Sequence, residues 1–199
     1  MKVAETETLY RGWGHYLRVT VERPDGSRIA REVEHHGDAA AALAYDPARR
    51  MALLVRQLRV PMLLAGGVVS TLEAAAGRID EGEDAATCIR REAIEELGLR
   101  LGEVEPIVAL QTMPGISTER IHLFLAAYGA EDRVGAGGGL DTEEEDIEVV
   151  EMALAELAAM ADRGDLPDAK TMLLLQTLRL RRPELFGAPP DAPSGGASV

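Results

Sequence analysis

Residues 77–99 read GRIDEGEDAATCIRREAIEELGL, and this stretch decides the fold. Residues 84–97 contain neither proline nor glycine and are rich in alanine, arginine, glutamate, isoleucine and leucine, which predicts a helix. Gly98 then suits the left-handed residue that often follows a helix end. We therefore expect a glycine-containing loop, a helix and a sharp turn, in that order.

Three glutamates crowd one edge of this predicted helix, because Glu92, Glu95 and Glu96 fall within roughly a 100° arc. Arg91 lies next to Glu95 on the helical wheel and can pair with it. Glu92 and Glu96 face the same point, and two such hard oxygen ligands suit Mg2+ or Mn2+ rather than zinc. The glycines of residues 77–82 let the backbone approach the same ion. The alternative is a solvated, glutamate-rich helix without a metal.

Composition narrows the class of protein. The chain has 199 residues, enough for one ordinary domain with a small appendage, and a net charge of −13, which argues against nucleic-acid and anionic-membrane binding. It does not exclude an anionic substrate, because a metal and a few arginines reverse the local sign. Cys88 is the single cysteine, so we expect a reducing compartment and a packed thiol. With no signal peptide or transmembrane run, we expect cytoplasmic residence.

The N-terminal region predicts a β ribbon. Residues 16–21 mix apolar and polar side chains in near alternation, residues 24–26 form a Pro-Asp-Gly turn signal, and residues 29–33 return as a second strand. Two strands alone are marginal in water, so this ribbon must pack on the main domain, a partner chain or both. His15, His35 and His36 lie here, but their spacing does not form a recognised zinc ligand set.

The other elements follow from short apolar runs and turn signals. We expect strands at 39–45, 51–58, 105–111, 121–128 and 147–150, helices at 153–163 and 168–182, and a loop and strand within 60–76. Asp168 is the expected N-cap of the last helix. Its apolar face is expected at Met172, Leu175, Leu178 and Leu180.

Two further charged regions have open interpretations. Arg56 and Arg59 are either exposed charges at a strand end or a phosphate clamp, since arginine offers bidentate donors. Residues 141–152 form an acidic passage, which we expect to begin after a flexible glycine loop at 135–139 and to end in a strand. A glutamate tethered in this way is placed to swing over a metal site as a base or an extra ligand.

The spacing of the opening stretch carries a resemblance. The signature of the Nudix hydrolases has the same residue types at the same spacing as Gly77, Glu83, the pairs at 91–92 and 95–96, and Gly98. The chain is therefore identified as a member of that superfamily. The resemblance implies an α/β fold, an α/β/α sandwich around a mixed sheet. It also implies a divalent metal, usually Mg2+, and hydrolysis of a nucleoside diphosphate linked to another moiety.

Features outside the signature resemble the branch of ADP-ribose pyrophosphatases and GDP-mannose hydrolases. They are the ribbon, RQ-x-R at 56–59, a Pro-Gly turn at 114–115 with Glu-Arg at 119–120, an E-x-E-D-I passage at 143–147, and Asp-x-Lys-Thr at 168–171. The last motif and the glycine loop are most similar to the GDP-mannose type. The expected products are a nucleoside monophosphate and a sugar phosphate. The alternative substrates are ADP-ribose and, further from this branch, a dinucleotide or a nucleoside triphosphate. The alternative function is that of a non-catalytic sensor of nucleotide sugars.

We expect three segments: residues 1–38 as a β ribbon, 39–186 as the hydrolase domain, and 187–199, rich in Pro, Gly, Ser and Ala, as a disordered tail. The resemblance implies that the ribbon helps to form a homodimer. The implied metal ligands are the Ala76 carbonyl, Glu92, Glu96 and Glu145. The implied catalytic residues are Glu95, Glu143, Glu145 and Arg91, with the choice of base open between Glu143 and Glu145. The implied substrate contacts are Arg59 and Arg56 at the diphosphate, and Trp13 and Tyr16 near the nucleobase, for which plain packing in the ribbon is the alternative.

Overall fold

The computed structural model describes residues 1–140 and 146–187. Its strands are β1 (Lys2–Arg11), β2 (His15–Glu22), β3 (Arg28–His35), β4 (Ala39–Asp46), β5 (Met51–Leu58), β6 (Ser70–Glu73), β7 (Ala75–Arg78), β8 (Glu105–Gln111), β9 (Arg120–Ala127) and β10 (Glu148–Ala153). Its helices are α1 (Val60–Gly66), α2 (Ala85–Leu97), α3 (Leu154–Arg163) and α4 (Ala169–Arg181). None of the helices in these described ranges is long and apolar enough to span a membrane.

The main sheet is mixed and forms the middle layer. Strands β10, β5, β4, β9 and β8 lie side by side, while β6 pairs with β5 and β7 pairs with β4. The pair β4–β9 is parallel, and the other pairs in this sheet are antiparallel. Helix α2 packs on one face, and α3 and α4 pack on the other. The predicted mixed sheet between helices is confirmed.

Strand β4 supplies the centre of both cores with very small side chains. Ala40 and Ala42 face the cluster under α2, whereas Ala41 and Leu43 face the cluster under α3 and α4, and all four are buried. Neighbouring residues point to opposite faces of a strand, so a strand covered on both sides reads as a continuous apolar run. The alanines therefore place little side-chain volume between the sheet and the helices on either side.

The N-terminal region forms a separate three-stranded antiparallel sheet in the order β1-β2-β3. The prediction of strands and a turn for residues 16–33 is confirmed, and the turn is closed by Ser27 N–H donating to Asp25 at 3.0 Å. Strand β1 was not expected, because its residues are all exposed and show no buried face. A bond from Glu34 N–H to the Ile116 carbonyl, 2.8 Å, ties this sheet to the main domain.

Helix α2 begins and ends where its sequence predicts. The Asp84 carboxylate accepts from the backbone N–H groups of Ala86 and Thr87, both at 2.9 Å, which satisfies donors that a helix start leaves unpaired. Gly98 ends the helix with φ +65°, a left-handed conformation that favours glycine. Cys88 is buried on the inner face, as expected, and burial raises the pKa of its thiol to about 12.

Three expectations need correction. Residues 60–66 form helix α1 rather than loop, although none of its side chains is buried. In α4 the buried face contains Leu174, whereas Leu180 is 85% exposed, because the helix rotates that position away from the sheet. The glycine loop is also fixed by hydrogen bonds rather than loose, since Gly138 N–H donates to the Glu96 carbonyl at 2.9 Å. The expected tail beyond residue 187 lies outside the described residues.

Candidate active site

Arg91 is the centre of the acidic face of α2. Its Nη1 donates to Glu92 at 2.7 Å and to Glu95 at 3.0 Å, and its Nε and Nη2 donate to Glu83 at 3.2 and 3.1 Å. The predicted Arg91–Glu95 pair is therefore present, and two more carboxylates join it. Hydrogen bonds from Arg91 lower the pKa of Glu83, and the carboxylates raise the pKa of Arg91 in return. One guanidinium thus holds three carboxylates together.

Glu96 and Glu92 meet the backbone of β7. Glu96 is only 2% exposed, and one of its carboxylate oxygens accepts from the Ala76 backbone N–H at 3.0 Å. A Cβ built on Gly77 would lie 1.8 Å from a carboxylate oxygen of Glu92, so only glycine permits this approach. The signature glycine and the two glutamates therefore form one packed unit of helix and strand.

This unit fits a hard divalent cation by the chemistry of its donors. Two carboxylates lie against a strand whose Ala76 carbonyl is the third predicted ligand, and all three donors are oxygen. Within residues 1–140 and 146–187, no group of three His, Cys, Asp or Glu side chains forms a metal site. The fourth predicted ligand, Glu145, and the predicted base, Glu143, lie outside the described residues.

The loop that leads to those two glutamates is attached to the same helix. Gly139 N–H donates to the Glu95 carbonyl at 3.0 Å, beside the Gly138 bond to Glu96, so the loop caps the last turn of α2. Gly137 has φ +70°, and a Cβ there would lie 2.3 Å from the Glu96 carbonyl oxygen. The acidic passage thus starts from a fixed point next to the candidate metal ligands.

A second charged cluster lies where β5, β6 and α4 meet, and we call it the Glu73 cluster. Arg59 donates to the Glu73 carboxylate through Nε and Nη2, both at 2.8 Å. Lys170 and the Thr71 hydroxyl donate to the same carboxylate, which is 3% exposed. Burial raises the pKa of Glu73, but Arg59 and Lys170 outweigh it, so that its pKa falls to about 2. Glu73 is a fully ionised, buried anion at neutral pH.

Arg59 connects the Glu73 cluster to the acidic face of α2. Its hydrogen bonds to Glu73 raise its pKa, against the effect of burial, and the nearby charge of Glu96 contributes in the same direction. Arg56 lies at the same strand end but is exposed, with its Nε 3.1 Å from Glu148. Arg59 is therefore held by two hydrogen bonds to Glu73 and is near enough to Glu96 for the two charges to interact, whereas Arg56 pairs with Glu148.

The predicted nucleobase contacts lie on the N-terminal sheet and its connection. Trp13 is 74% exposed, and its ring packs on His36, with centroids 4.9 Å apart, while the Arg78 guanidinium lies 5.6 Å from the Trp13 ring centre. Arg78 follows the signature glycine, so Trp13 is joined to the candidate site through one cation–π contact. The Tyr16 hydroxyl donates to Glu32 at 3.4 Å within the sheet, and no described contact joins it to α2.

The sequence reasoning did not single out Glu73 or Lys170 as site residues. The signal for Glu73 was a lone acidic residue inside the apolar run LEAAA, which in a buried strand requires a cationic partner. Lys170 was noticed only as part of a helix-start motif. Their contact joins residues far apart in the chain, and local spacing does not reveal such a pair.

Comparisons with known proteins agree with this geometry. The NUDIX domain family model matches residues 35–175. Relatives named GDP-mannose pyrophosphatase are 44% identical over 162 residues in Cronobacter sakazakii (80% of this chain, 83% of that protein) and 40% identical over 169 residues in Escherichia coli O1:K1 / APEC (83% and 87%). A third, from Citrobacter koseri, is 42% identical over 161 residues and covers 80% and 83%.

A solved structure described as an ADP compounds hydrolase superposes with a TM-score of 0.72 at 21% identity, covering 90% of this chain and 92% of the other. At that identity the likeness supports the fold alone. The family model spans most of the chain and includes the loop, the helix and the second charged cluster described above. The chain therefore belongs to the NUDIX domain family.

Proposed function

We propose that this protein hydrolyses the pyrophosphate bond of a nucleoside diphosphate sugar, with GDP-mannose as the preferred substrate. The observation that carries the proposal is the 40–44% identity, over 80–83% of the chain, to relatives named GDP-mannose pyrophosphatase. In this reaction the oxygen of water joins one phosphorus and the bridging oxygen leaves with the other. The products are a nucleoside monophosphate and a sugar phosphate.

Hydrolases of this family generally use divalent metal ions. We propose Mg2+ here, with Mn2+ as the alternative, held by the Ala76 carbonyl, Glu92, Glu96 and Glu145. When bound, such an ion neutralises the diphosphate and lowers the pKa of a coordinated water. The packing of Glu92 against Gly77 and of Glu96 against the Ala76 backbone N–H supports this ligand set.

The other residues of the acidic face would position these ligands and move the proton. Arg91 holds Glu92 and Glu95 at 2.7 and 3.0 Å, which prevents the carboxylates from turning away from one another. Glu95 would support the ligands or take part in proton transfer. Glu143 would accept the proton of the attacking water, with Glu145 as the alternative base, and both follow the anchored glycine loop.

Substrate binding would fall on the cationic side of the site. Arg59 would donate to the diphosphate, and Arg56, at the same strand end, would contribute charge from the solvent side. Trp13 and Tyr16 would lie near the nucleobase. A homodimer formed through the N-terminal sheet would bring such residues to the site of the partner subunit. We also propose a cytoplasmic location and neither nucleic-acid nor membrane partners, in line with the net charge of −13.

A hydrolysis panel tests this function directly. Purified protein is assayed in Mg2+ against GDP-mannose, ADP-ribose, ADP-glucose, a diadenosine polyphosphate and a nucleoside triphosphate, with the products separated by ion-exchange chromatography. We expect GDP-mannose to give the highest kcat/KM and to yield GMP and mannose phosphate. Highest activity on ADP-ribose would replace the substrate but keep the reaction, whereas activity on the last two compounds alone, or none, would overturn the proposal.

A further inference from the structure

Glu73 is a buried carboxylate with four donors and no place in the metal site. It is the last residue of β6, with only Ala74 between it and the start of β7. It accepts from Arg59 Nε, Arg59 Nη2, Lys170 and Thr71. Burial of a carboxylate lowers stability unless the carboxylate is fully paired. The side chains that pair with Glu73 are therefore the place to look for its role. The partner that is still partly exposed, at 40% of its side chain, is Arg59.

The Glu73–Arg59 bonds leave part of the guanidinium available. Arginine has five N–H groups in a planar fork, and the pair of bonds at 2.8 Å uses one on Nε and one on Nη2. The edge formed by Nη1 and the remaining Nη2 hydrogen is not engaged by Glu73. That edge has the geometry that binds a second anion with two parallel hydrogen bonds.

The frame around this arginine is rigid and is joined to the metal-binding strand. Ala74 N–H donates to the Thr171 hydroxyl at 2.7 Å, and Thr171 in turn donates to Asp168, the N-cap of α4. Lys170 lies between Glu73 and Asp168, 3.1 Å from the latter. The strand segment that begins with Glu73 is therefore fixed to α4, and two residues beyond Ala74 the same segment meets Glu96.

We propose that Glu73 is a positioning residue that locks the Arg59 guanidinium side-on, so that its other edge is held ready for the substrate diphosphate. The inference rests on the proposed function. A free arginine side chain must give up several rotatable bonds when it binds an anion, whereas a pre-oriented one does not, so Glu73 would improve binding through Arg59. Lys170 acts with Arg59 to lower the pKa of Glu73, and the hydrogen bonds from Lys170 and Thr71 hold its carboxylate in place.

A purely structural role for Glu73 makes a different prediction. If Glu73 only joined β6 to α4, its loss would lower stability and would affect binding whether or not Arg59 were present. If Glu73 acts through Arg59, its loss matters only while Arg59 is present. A double-mutant cycle separates these two cases, because residues that act as one unit have non-additive effects.

The experiment compares the wild type, Glu73→Gln, Arg59→Ala and the double variant. We expect Glu73→Gln to raise the KM for GDP-mannose by about tenfold, the effect of losing one charge-assisted hydrogen bond, with a smaller change in kcat. In the Arg59→Ala background we expect Glu73→Gln to change KM by less than about twofold. The Kd for GDP, measured by calorimetry without turnover, should follow the same pattern.

A matched control is Glu151→Gln, which removes another carboxylate that binds two cationic side chains, here two arginines. Glu151 accepts from Arg49 at 2.8 and 2.7 Å and from Arg133 at 2.6 Å, beside the β4–β5 turn at the opposite end of β5. We expect it to leave KM and the Kd for GDP unchanged. If Glu73→Gln does not fold, the cycle is run with Glu73→Asp, which keeps the charge and shortens the reach by one methylene.

The outcomes separate this inference from the proposed function. Equal effects of Glu73→Gln with and without Arg59, or no effect on KM and GDP affinity, would overturn the positioning role while the hydrolase activity stands. A wild type that hydrolyses none of GDP-mannose, ADP-ribose and ADP-glucose would overturn the proposed function, and the GDP cycle would then decide the positioning role by itself.

Discussion

Arg91 and Arg59 both bind glutamates beside consecutive strands, β7 and β6, but the ratio of cations to carboxylates differs between the two clusters. Arg91 is the shared donor for Glu83, Glu92 and Glu95, and buried Glu96 lies one turn further along the helix. In the Glu73 cluster, two cations serve one buried carboxylate, and Asp168 completes the set. The acidic face carries a formal surplus of negative charge, whereas the Glu73 cluster is balanced.

Because of this difference, the acidic face is expected to need a cation from solution, whereas the Glu73 cluster is not. Carboxylates that crowd around one guanidinium repel each other, so the acidic face gains stability when a cation arrives from solution. The Glu73 cluster has its counter-charges built in, and it keeps its geometry without any ligand. We therefore expect metal dependence to belong to the first region and a metal-independent, pH-dependent stability to belong to the second.

The largest expected effect is on turnover, and it tests whether the acidic face holds the reacting metal. Glu92→Gln should lower kcat on GDP-mannose by on the order of a thousandfold, because a metal ligand that stabilises developing charge contributes several kcal/mol to the barrier. Steady-state kinetics in Mg2+ and a melting curve measure the effect, since the fold should remain intact. Near-normal activity of this variant would show that the surplus carboxylates have another purpose.

The next effect concerns the Glu73 cluster and pH. Because the pKa of Glu73 is lowered from 4.5 to about 2 in the folded state, its stabilising contribution is present above about pH 4.5. It is lost as the pH falls through about 2, and the shift corresponds to about 3 kcal/mol. Urea titrations of the wild type and Glu73→Gln at several pH values should show a difference in unfolding free energy that narrows from pH 5 towards pH 2. A constant difference would contradict this assignment.

The smallest expected effect is the stabilisation of the folded protein by bound metal. It tests whether the acidic face, and not the rest of the molecule, responds to the metal. Mg2+ at one hundred times its Kd should add about 2.7 kcal/mol to the unfolding free energy of the EDTA-treated protein. Glu96→Gln should lose most of this gain, while Glu151→Gln should keep it, because only the former changes the acidic face. An equal gain in all three proteins would place the bound metal elsewhere.

The acidic face was predictable because its information is local. Glu92, Glu95 and Glu96 share one helix, and the helical period alone brings them to one edge. The run of residues 84–97 without proline or glycine, and Gly98 after it, indicated the ends of that helix in the same way. Everything needed was contained within one loop and four turns of chain.

The Glu73 cluster was not predictable by such reasoning. Lys170 reaches Glu73 across 97 sequence positions, and the contact exists only because α4 packs behind the β6–β7 junction. Strand β1 and helix α1 were missed for a related reason: neither has a buried face, so neither has a hydrophobic period to detect. Pairing with β2 creates the first, and the left-handed Gly67 ends the second.

The alanine run of β4 has a consequence for how this protein can change. Ala40 and Ala42 end at Cβ and lie in the core cluster under α2, so they place little side-chain volume between the helix and the sheet. The distance between α2 and the sheet sets whether Glu92 reaches the backbone at Gly77 and Glu96 that at Ala76. A methyl group added at one of these alanines would push α2 away from the sheet and would move its carboxylates with it. Such overpacking costs about 1–3 kcal/mol of stability. Substitutions in β4 would thus alter activity by changing the position of the α2 carboxylates, although none of the proposed reacting groups belongs to β4.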